Sequence, residues 1–190
     1  PWEEREIFRL CYQVLDDGRY ENIRFVDASY TWEDLQLEDR LKESLRAVCA
    51  QVEHQGLVLD EWGLRRRYPY GRCVSVLLSG PPGTGKTMTA QVLASRLGLA
   101  LYKVDLYQIV DKYIGETEKR LRQVFDQAEK SNLVLFFDEA DALLGKRSEV
   151  KDAKDKYAKT EVAYLLQRME EYQGVVLMAT NQAGSIDKKE

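Results

Sequence analysis

The chain has 190 residues, of which 44% are hydrophobic and 32% are charged, so it can bury the core of one domain beneath a polar surface. Its formal net charge of -4 gives no electrostatic reason to expect a nucleic-acid-binding surface. Three scattered cysteines and one histidine argue against a disulfide framework or a zinc site, and no apolar run approaches the ~20 residues of a membrane helix. We expect a cytoplasmic protein that does not enter a membrane.

The N-terminal part of the chain has a helical pattern. In residues 2–16 the apolar positions recur at helical spacing and end at Asp17-Gly18, which predicts a short helix followed by a linker. A second helix is predicted over roughly 38–54, and glycines and a proline between residues 56 and 71 indicate a loop. We assign residues 1–30 to an N-terminal helix and linker.

From residue 73 onward, apolar strands alternate with amphipathic helices. The predicted strands are 73–80, 99–105, 133–140 and 174–181, and the predicted helices are 89–98, 116–130 and 161–172. Strands that are apolar throughout are typical of a parallel sheet covered on both faces, so we predict a three-layer α/β fold. The charge-rich run 145–159 is the best candidate for a mobile loop.

The stretch GPPGTGKT, residues 80–87, fits the phosphate-binding pattern G-x-x-x-x-G-K-[ST] and stands between a predicted strand and a predicted helix. Its glycines let backbone N–H groups surround phosphates, Lys86 reaches the outer phosphates, and Thr87 holds magnesium. This pattern predicts a P-loop NTPase that binds ATP and Mg2+. The predicted nucleotide-binding residues are Pro82, Gly83, Thr84, Gly85, Lys86, Thr87 and Met88.

Two carboxylates follow the third apolar strand in LVLFFDEAD, residues 133–141. A buried strand brings Asp138 to the edge of the sheet where ligands bind in open α/β folds. Asp138 is predicted to support magnesium, and Glu139 to orient and deprotonate the attacking water. The letters DEAD also occur in a helicase family, but there the acidic motif is expected farther from a phosphate loop that lacks the Pro-Pro pair.

The fourth strand ends in MATN, which places Asn181 at a strand terminus. Its amide is suited to hold the attacking water against the γ-phosphate, whereas the alternative is a simple turn residue. The predicted catalytic residues are therefore Glu139, Asn181 and Lys86.

Taken in order and spacing, GPPGTGKT, LVLFFDEAD and MATN resemble the Walker A, Walker B and first sensor motifs of the AAA+ ATPases, and more closely of their AAA branch. The resemblance covers about residues 30–187 and implies that residues 31–190 are an AAA+ nucleotide-binding core. The segments DEWGL, KRSEVKDA and EVAYLLQRMEEY are similar to a bacterial subgroup that includes ATPases encoded beside contractile injection systems.

Members of this family commonly act as hexameric rings whose channel loop carries an aromatic-hydrophobic-glycine triplet. Tyr113, Ile114 and Gly115 match that triplet residue for residue, which implies a loop that grips a polypeptide substrate. The alternative is that the first two side chains pack as a hydrophobic lead-in to the following helix. The run 145–159 falls where the family has a second channel loop, and there a solvated face is an equal alternative.

The family's arginine fingers, fifth strand and lid are expected beyond Glu190, so we expect residues 1–190 by themselves to hydrolyse ATP very slowly. The leading hypothesis is an ATPase that remodels, unfolds or disassembles protein substrates as a homo-oligomeric ring. A second is a nucleotide-controlled assembly or adaptor module with little turnover. A third is a DNA-acting AAA+ protein, which the acidic charge balance and the aromatic triplet disfavour.

Overall fold

The computed structural model describes residues 23–26, 29–61, 73–112, 116–131, 133–144 and 154–181. Within these ranges, helices separate the successive strands from residue 73 onward, as predicted, but two helices rather than one lie before the strand at 134–138 and two before the strand at 175–180. The strands are β1 (Ile23–Val26), β2 (Val74–Ser79), β3 (Leu101–Asp105), β4 (Val134–Asp138) and β5 (Val175–Thr180). The helices are α1 (Asp39–Glu61), α2 (Lys86–Leu97), α3 (Leu106–Lys112), α4 (Thr117–Ser131), α5 (Asp141–Leu144) and α6 (Lys154–Glu171).

The five strands form one sheet in the order β1-β3-β4-β5-β2. Strands β2 to β5 are mutually parallel, which confirms the predicted parallel sheet. Strand β1 is an addition that the sequence analysis did not predict, because it lies in the segment assigned to a helix and linker. It pairs antiparallel with β3, with Ile23 opposite Val104. Four residues are too short a run for a strand pattern to be recognised, and here the pairing with β3 determines the conformation.

Helices cover both faces of the sheet, and each face has its own apolar cluster. On one face, side chains of α1 and α2 pack against Leu101, Phe136 and Leu177. On the other face, side chains of α4 and α6 pack against Phe137 and Val176. Successive residues of a strand point to opposite faces, so neighbouring residues such as Phe136 and Phe137 belong to different clusters. This arrangement confirms the three-layer α/β fold.

Two predicted boundaries on the β2 side of the sheet are corrected by the structure. Helix α1 does not end near residue 54 but continues through Gly56 to Glu61, because a single glycine costs a helix only about 1 kcal/mol. Strand β2 was predicted to be buried, yet among the described strands it pairs only with β5 and forms an edge of the sheet. Its side chains alternate in exposure accordingly, with Val74 buried and Leu77 41% exposed.

The prediction of a mobile loop over residues 145–159 is wrong for residues 154–159. Helix α6 begins at Lys154, so residues 154–159 are helical, and the charged residues there continue the pattern of the helix that was predicted to start at residue 161. Residues 145–153 lie outside the described part of the chain, as do the predicted helix 2–16 and the triplet Tyr113, Ile114 and Gly115.

The parallel register brings several polar strand ends to one edge of the sheet. Asp105 at the end of β3 is opposite Asp138 at the end of β4, and Ser79 at the end of β2 is opposite Thr180 at the end of β5. Loops that follow parallel strands emerge at their carboxyl ends, which is where open α/β sheets bind ligands. The predicted site residues are distributed along this edge.

Candidate active site

The loop between β2 and α2 turns tightly because two of its residues have left-handed backbone conformations. Gly83 has a φ of 79° and Gly85 a φ of 83°, values that side chains disfavour and glycine accepts. Across the turn, Thr84 Oγ1 donates a hydrogen bond of 2.8 Å to the carbonyl of Pro81. The GPPGTGKT segment thus forms a compact strand-loop-helix connection, which is the setting that a phosphate-binding loop requires.

Helix α2 begins at the end of this loop with Gly85 as its N-cap, and a glycine offers no side chain to bond the first N–H groups of the helix. A helix N-terminus carries a partial positive charge of about half a unit, and its amide N–H groups bind anions. The residues predicted to hold the nucleotide follow one another through this turn into the first turn of α2: Pro82, Gly83, Thr84, Gly85, Lys86, Thr87 and Met88.

The ammonium group of Lys86 is held against the loop. Its Nζ atom donates hydrogen bonds to the carbonyl oxygens of Gly80, at 2.6 Å, and Pro81, at 2.8 Å. Both carbonyls belong to the start of the loop. The ammonium group therefore lies against the loop that leads into the N-terminus of α2. A positive side chain and a positive helix end in one loop make an electrostatic site for a polyphosphate.

Asp138, the last residue of β4, uses both of its carboxylate oxygens. Oδ1 accepts the backbone N–H of Glu139 at 2.9 Å, and Oδ2 lies 2.9 Å from the Nζ atom of Lys103 on β3. Lys103 was not among the predicted site residues. It lies two positions before Asp105, and because side chains alternate along a strand, both residues point to the face that also carries Asp138.

Glu139 combines an unusual backbone with an altered acidity. Its φ of 55° is left-handed, and it is the one residue other than glycine with a positive φ in the described part of the chain. Such conformations cost about 1–3 kcal/mol and cluster at functional sites. The pKa of its carboxyl group is raised above the ordinary value, first by burial and then by the neighbouring carboxylates of Asp105 and Asp138, while Lys103 opposes the change.

The end of β5 is fastened to the acidic turn that follows β4. The hydroxyl of Thr180 donates to Asp141 Oδ1, and the backbone N–H of Asn181 donates to Asp141 Oδ2 at 2.8 Å. The N–H of Ala140 donates to the carbonyl of Ala179 at 2.9 Å. Asn181 is itself exposed and directly follows β5, at the strand terminus where the sequence analysis expected it.

The phosphate loop joins this assembly through Thr180, whose carbonyl accepts the N–H of Gly80 at 3.2 Å. The loop, the acidic turn and the end of β5 are therefore connected by hydrogen bonds around one residue. The sequence analysis missed both Lys103 and Asp141. Asp141 stands three positions after Asp138 in LVLFFDEAD, but its function as an acceptor for β5 requires knowing that β4 and β5 are neighbours.

The residues present fit a magnesium ion that is bound together with a nucleotide. Mg2+ prefers oxygen ligands, and in nucleotide sites it usually takes one or two protein oxygens and completes its shell with waters and phosphates. The hydroxyl of Thr87 and the carboxylate of Asp138 are donors of this kind. The described residues contain no group of three or more His, Cys, Asp or Glu side chains that would hold a metal by themselves.

A parallel sheet with an uncapped, lysine-bearing phosphate loop and carboxylates at the neighbouring strand end defines a P-loop nucleotide-binding domain. The particular family follows from comparison with known proteins. Residues 76–189 match the family described as "ATPase family associated with various cellular activities (AAA)", and the chain belongs to this family.

Individual relatives are similar along most of the chain. Protein SAV of Sulfolobus acidocaldarius is 33% identical over 167 residues, which is 83% of this chain and 20% of that protein. Nuclear valosin-containing protein-like of Mus musculus is 35% identical over 83% of this chain and 18% of its own length. The cell division cycle protein 48 homolog of Archaeoglobus fulgidus is 32% identical over 88% of this chain and 22% of its own length. The chain thus spans about a fifth of these relatives.

Solved structures agree with the family assignment. The AAA domain of FIGL-1 in complex with ADP has a TM-score of 0.64 and 25% sequence identity, over 99% of this chain and 58% of that one. A second structure of the FIGL-1 AAA domain, whose description names no ligand, also has a TM-score of 0.64, at 26% identity. None of the helices in the described ranges is both long enough and apolar enough to cross a membrane.

Proposed function

We propose that this chain binds ATP with Mg2+ and hydrolyses it at the edge of the sheet formed by the ends of β2, β4 and β5. The observation that carries the proposal is the loop itself, where left-handed Gly83 and Gly85 precede an uncapped helix and Lys86 supplies a cation. The description of FIGL-1 bound to ADP, in a related AAA domain, supports an adenine nucleotide as the ligand.

In this proposal each polar group has one task. The amides of residues 83–87 and the ammonium group of Lys86 bind the phosphates and hold the outer one in place. Thr87 and Asp138 hold the metal ion, which when bound neutralises charge on the phosphate oxygens. Glu139 accepts a proton from the attacking water, and Asn181 orients that water. A raised pKa makes the carboxylate of Glu139 a stronger proton acceptor.

Two substitutions test this division of tasks in the complete protein. Lys86→Ala removes the phosphate contact, so we expect ATP affinity to fall at least about tenfold. Glu139→Gln leaves the phosphate contacts in place, so we expect ATP to bind normally while turnover falls about 10²–10⁴-fold. Lys119→Ala, at an exposed position on α4, is the matched control for lysine loss. Unchanged hydrolysis by Glu139→Gln would contradict the assignment of the base.

We further propose that the hydrolysis drives the remodelling, unfolding or disassembly of protein substrates by a homo-oligomeric ring. The support is the triplet Tyr113, Ile114 and Gly115, which the sequence places between α3 and α4, together with the family membership. The relationship to ATPases encoded beside contractile injection systems and the cytoplasmic location belong to the same proposal, as does slow turnover by residues 1–190 alone.

The channel function has a direct test with a tyrosine control. Tyr113→Ala is expected to abolish remodelling of a protein substrate while ATP binding is kept, because the aromatic side chain that contacts the polypeptide is lost. Tyr107→Ala serves as the control, since Tyr107 is a 57% exposed tyrosine on α3 only six positions earlier. If Tyr113→Ala and Tyr107→Ala remodel substrate equally well, an assembly module in which ATP only fixes a conformation becomes the better description.

A further inference from the structure

We propose that Asp141 is a positioning residue for hydrolysis: it fixes the end of β5 so that Asn181 stays aligned with Glu139. This inference rests on the proposed hydrolysis of ATP at this site. It concerns a carboxylate to which the nucleotide-binding pattern assigns no task, and which accepts two hydrogen bonds from consecutive residues of a neighbouring strand end.

The geometry separates this function from that of an ordinary helix-starting aspartate. Asp141 is the first residue of α5, a helix of four residues, where an acidic side chain would usually bond to the amides of its own first turn. Its two oxygens instead accept from the hydroxyl of Thr180 and from the N–H of Asn181, some forty residues away in the chain. The carboxylate therefore holds the end of β5 in place instead of capping its own helix.

A carboxylate is the side chain that suits this arrangement. It offers two acceptor oxygens with a fixed separation, and the donors are a hydroxyl and an amide on adjacent residues. Two bonds to one rigid group determine both the position and the direction of the chain at Asn181. An asparagine at position 141 has one acceptor oxygen and no charge, so it can accept from Asn181 only if the hydroxyl of Thr180 reverses and accepts from its NH2 group, whereas an alanine removes both bonds.

The same contact fixes the position of Glu139. Glu139 lies two residues before Asp141, and between them the N–H of Ala140 donates to Ala179 of β5 at 2.9 Å. The N–H of Ala142 in turn donates to the carbonyl of Glu139 at 3.0 Å, which closes the turn. The left-handed conformation of Glu139 is costly and persists only where its surroundings hold it. These bonds hold Glu139 and Asn181 in one hydrogen-bonded unit.

The unit also includes the phosphate loop, because Thr180 accepts the N–H of Gly80 through its carbonyl while donating to Asp141 through its hydroxyl. The bond from Gly80 goes to the backbone carbonyl of Thr180, which belongs to the sheet, and not to Asp141. Loss of the Asp141 carboxylate is therefore expected to affect the alignment of water and base more than the binding of phosphate, which depends on residues 83–87. A loss in turnover without a loss in nucleotide affinity is the signature of such a positioning role.

The test compares Asp141→Ala, which removes both acceptor oxygens, with Glu170→Ala, which removes an exposed carboxylate on α6, in the complete protein. We expect Asp141→Ala to lower kcat about 10- to 100-fold, the range that loss of a supporting partner costs at metal sites, with the Kd for Mg-ATP unchanged. Asp141→Asn should restore part of the loss, and Thr180→Val should lower kcat in the same direction as Asp141→Ala. In the Asp141→Ala background, Asn181→Ala should cost little more, because the two changes remove one function.

A second readout does not depend on hydrolysis. Amide hydrogen exchange at Asn181 should be accelerated by Asp141→Ala and unaffected by Glu170→Ala, since Asp141 is the acceptor for that N–H. Normal kcat in Asp141→Ala, or full additivity with Asn181→Ala, overturns the positioning role alone. If the unmodified complete protein does not hydrolyse ATP, the proposed function fails and the positioning role fails with it. If Asp141→Ala weakens ATP binding as much as turnover, Asp141 is a general structural residue and the proposal is wrong.

Discussion

The Nζ atom of Lys103 lies 2.9 Å from Oδ2 of Asp138, with the two side chains 32% and 23% exposed. The pair joins β3 to β4 at the edge of the sheet where the phosphate loop lies. It also places a fixed positive charge beside the carboxylate that is proposed to support magnesium. In the proposed metal site, Lys103 and the metal ion would compete for this carboxylate.

We predict that Lys103→Met lowers the Mg2+ concentration needed for half-maximal ATP binding by about two- to fivefold, which corresponds to a partly exposed ion pair of up to about 1 kcal/mol. The physical reason is that Asp105, Asp138 and Glu139 then lack a neighbouring cation. Binding is measured at fixed ATP while Mg2+ is titrated. Lys103→Arg keeps the charge and is the control, and a higher Mg2+ requirement in Lys103→Met would show that the lysine instead orients Asp138.

We predict that Glu139→Gln raises the thermal stability of the nucleotide-free protein while it removes hydrolysis. The raised pKa of Glu139 means that its charged form is disfavoured by the fold, so the carboxylate destabilises the folded state at pH values above that pKa. Because the side chain is exposed, the gain at pH 7 is at most about 0.5 kcal/mol, or roughly 1–2 °C.

The pH dependence supplies the check on that prediction. As the pH falls below about 4, glutamate becomes protonated in the unfolded chain as well as in the folded one, so the advantage of Glu139→Gln should disappear. Glu170→Gln, on the exposed side of α6, is the matched control for replacing a carboxylate by an amide. An advantage that persists unchanged into acid would mean that burial and the neighbouring carboxylates are not its cause.

Two glycines with left-handed backbone conformations allow an effect on the free energy of unfolding to be distinguished from an effect on ATP affinity. Gly85 in the loop and Gly98 at the end of α2 have φ values of 83° and 65°, and a Cβ at either would meet no atom within 4 Å. Alanine is therefore disfavoured at both by backbone strain alone, by about 1–2 kcal/mol. We predict that Gly85→Ala and Gly98→Ala lower the unfolding free energy similarly, but that only Gly85→Ala weakens ATP binding. Equal loss of affinity in the two variants would argue against the loop as the binding site.

Arg168 is predicted to stabilise the face of the sheet opposite the phosphate loop. Its guanidinium pairs with Asp126 at 2.9 Å and Glu129 at 3.3 Å, and its Cζ atom lies 5.5 Å from the centre of the Phe125 ring. The side chain is 18% exposed, so it contributes packing as well as charge. Arg168→Ala should destabilise the fold by about 1–2 kcal/mol in a denaturant titration.

The control for Arg168 is Arg122 on α4, whose side chain is 58% exposed; it pairs with Glu118 and donates a hydrogen bond of 3.3 Å to the hydroxyl of Tyr164. Arg122→Ala should cost less than about 0.5 kcal/mol, as exposed pairs usually do. Neither change should alter ATP affinity, because both lie on the α4 and α6 face. A larger effect at Arg122 than at Arg168 would contradict the assignment of the stabilising contacts.

The sequence was sufficient where chemistry is local. Glycines at fixed spacing predict the loop that begins at Gly80, and an apolar run that ends in an acid predicts Asp138 at a strand end; the structure has both. The sequence was insufficient where two hydrogen-bonding partners come from distant segments of the chain. Nothing near Asp141 indicates that its carboxylate accepts from Thr180 and Asn181, since that contact requires β4 and β5 to be neighbours in the sheet.

The strand β1, the end of helix α1 and the exposure of β2 could not be predicted from the sequence for related reasons. The short strand Ile23–Val26 has too few residues for a periodic pattern and is defined by its pairing with β3. Helix α1 passes through Gly56 because the cost of one glycine, about 1 kcal/mol, is too small to end a helix. The exposure of Leu77 follows from the position of β2 at the edge of the described sheet, which the sequence of the strand does not reveal.

Calorimetric titration of the complete protein with Mg-ATP tests the central claim most directly. In the Glu139→Gln background, so that the ligand is not consumed, saturable one-site binding per chain is expected, and adding Lys86→Ala should weaken it at least about tenfold. Absence of binding heat together with an absence of nucleotide-dependent stabilisation, or equal affinity with and without Lys86, would contradict a phosphate site in the loop after β2.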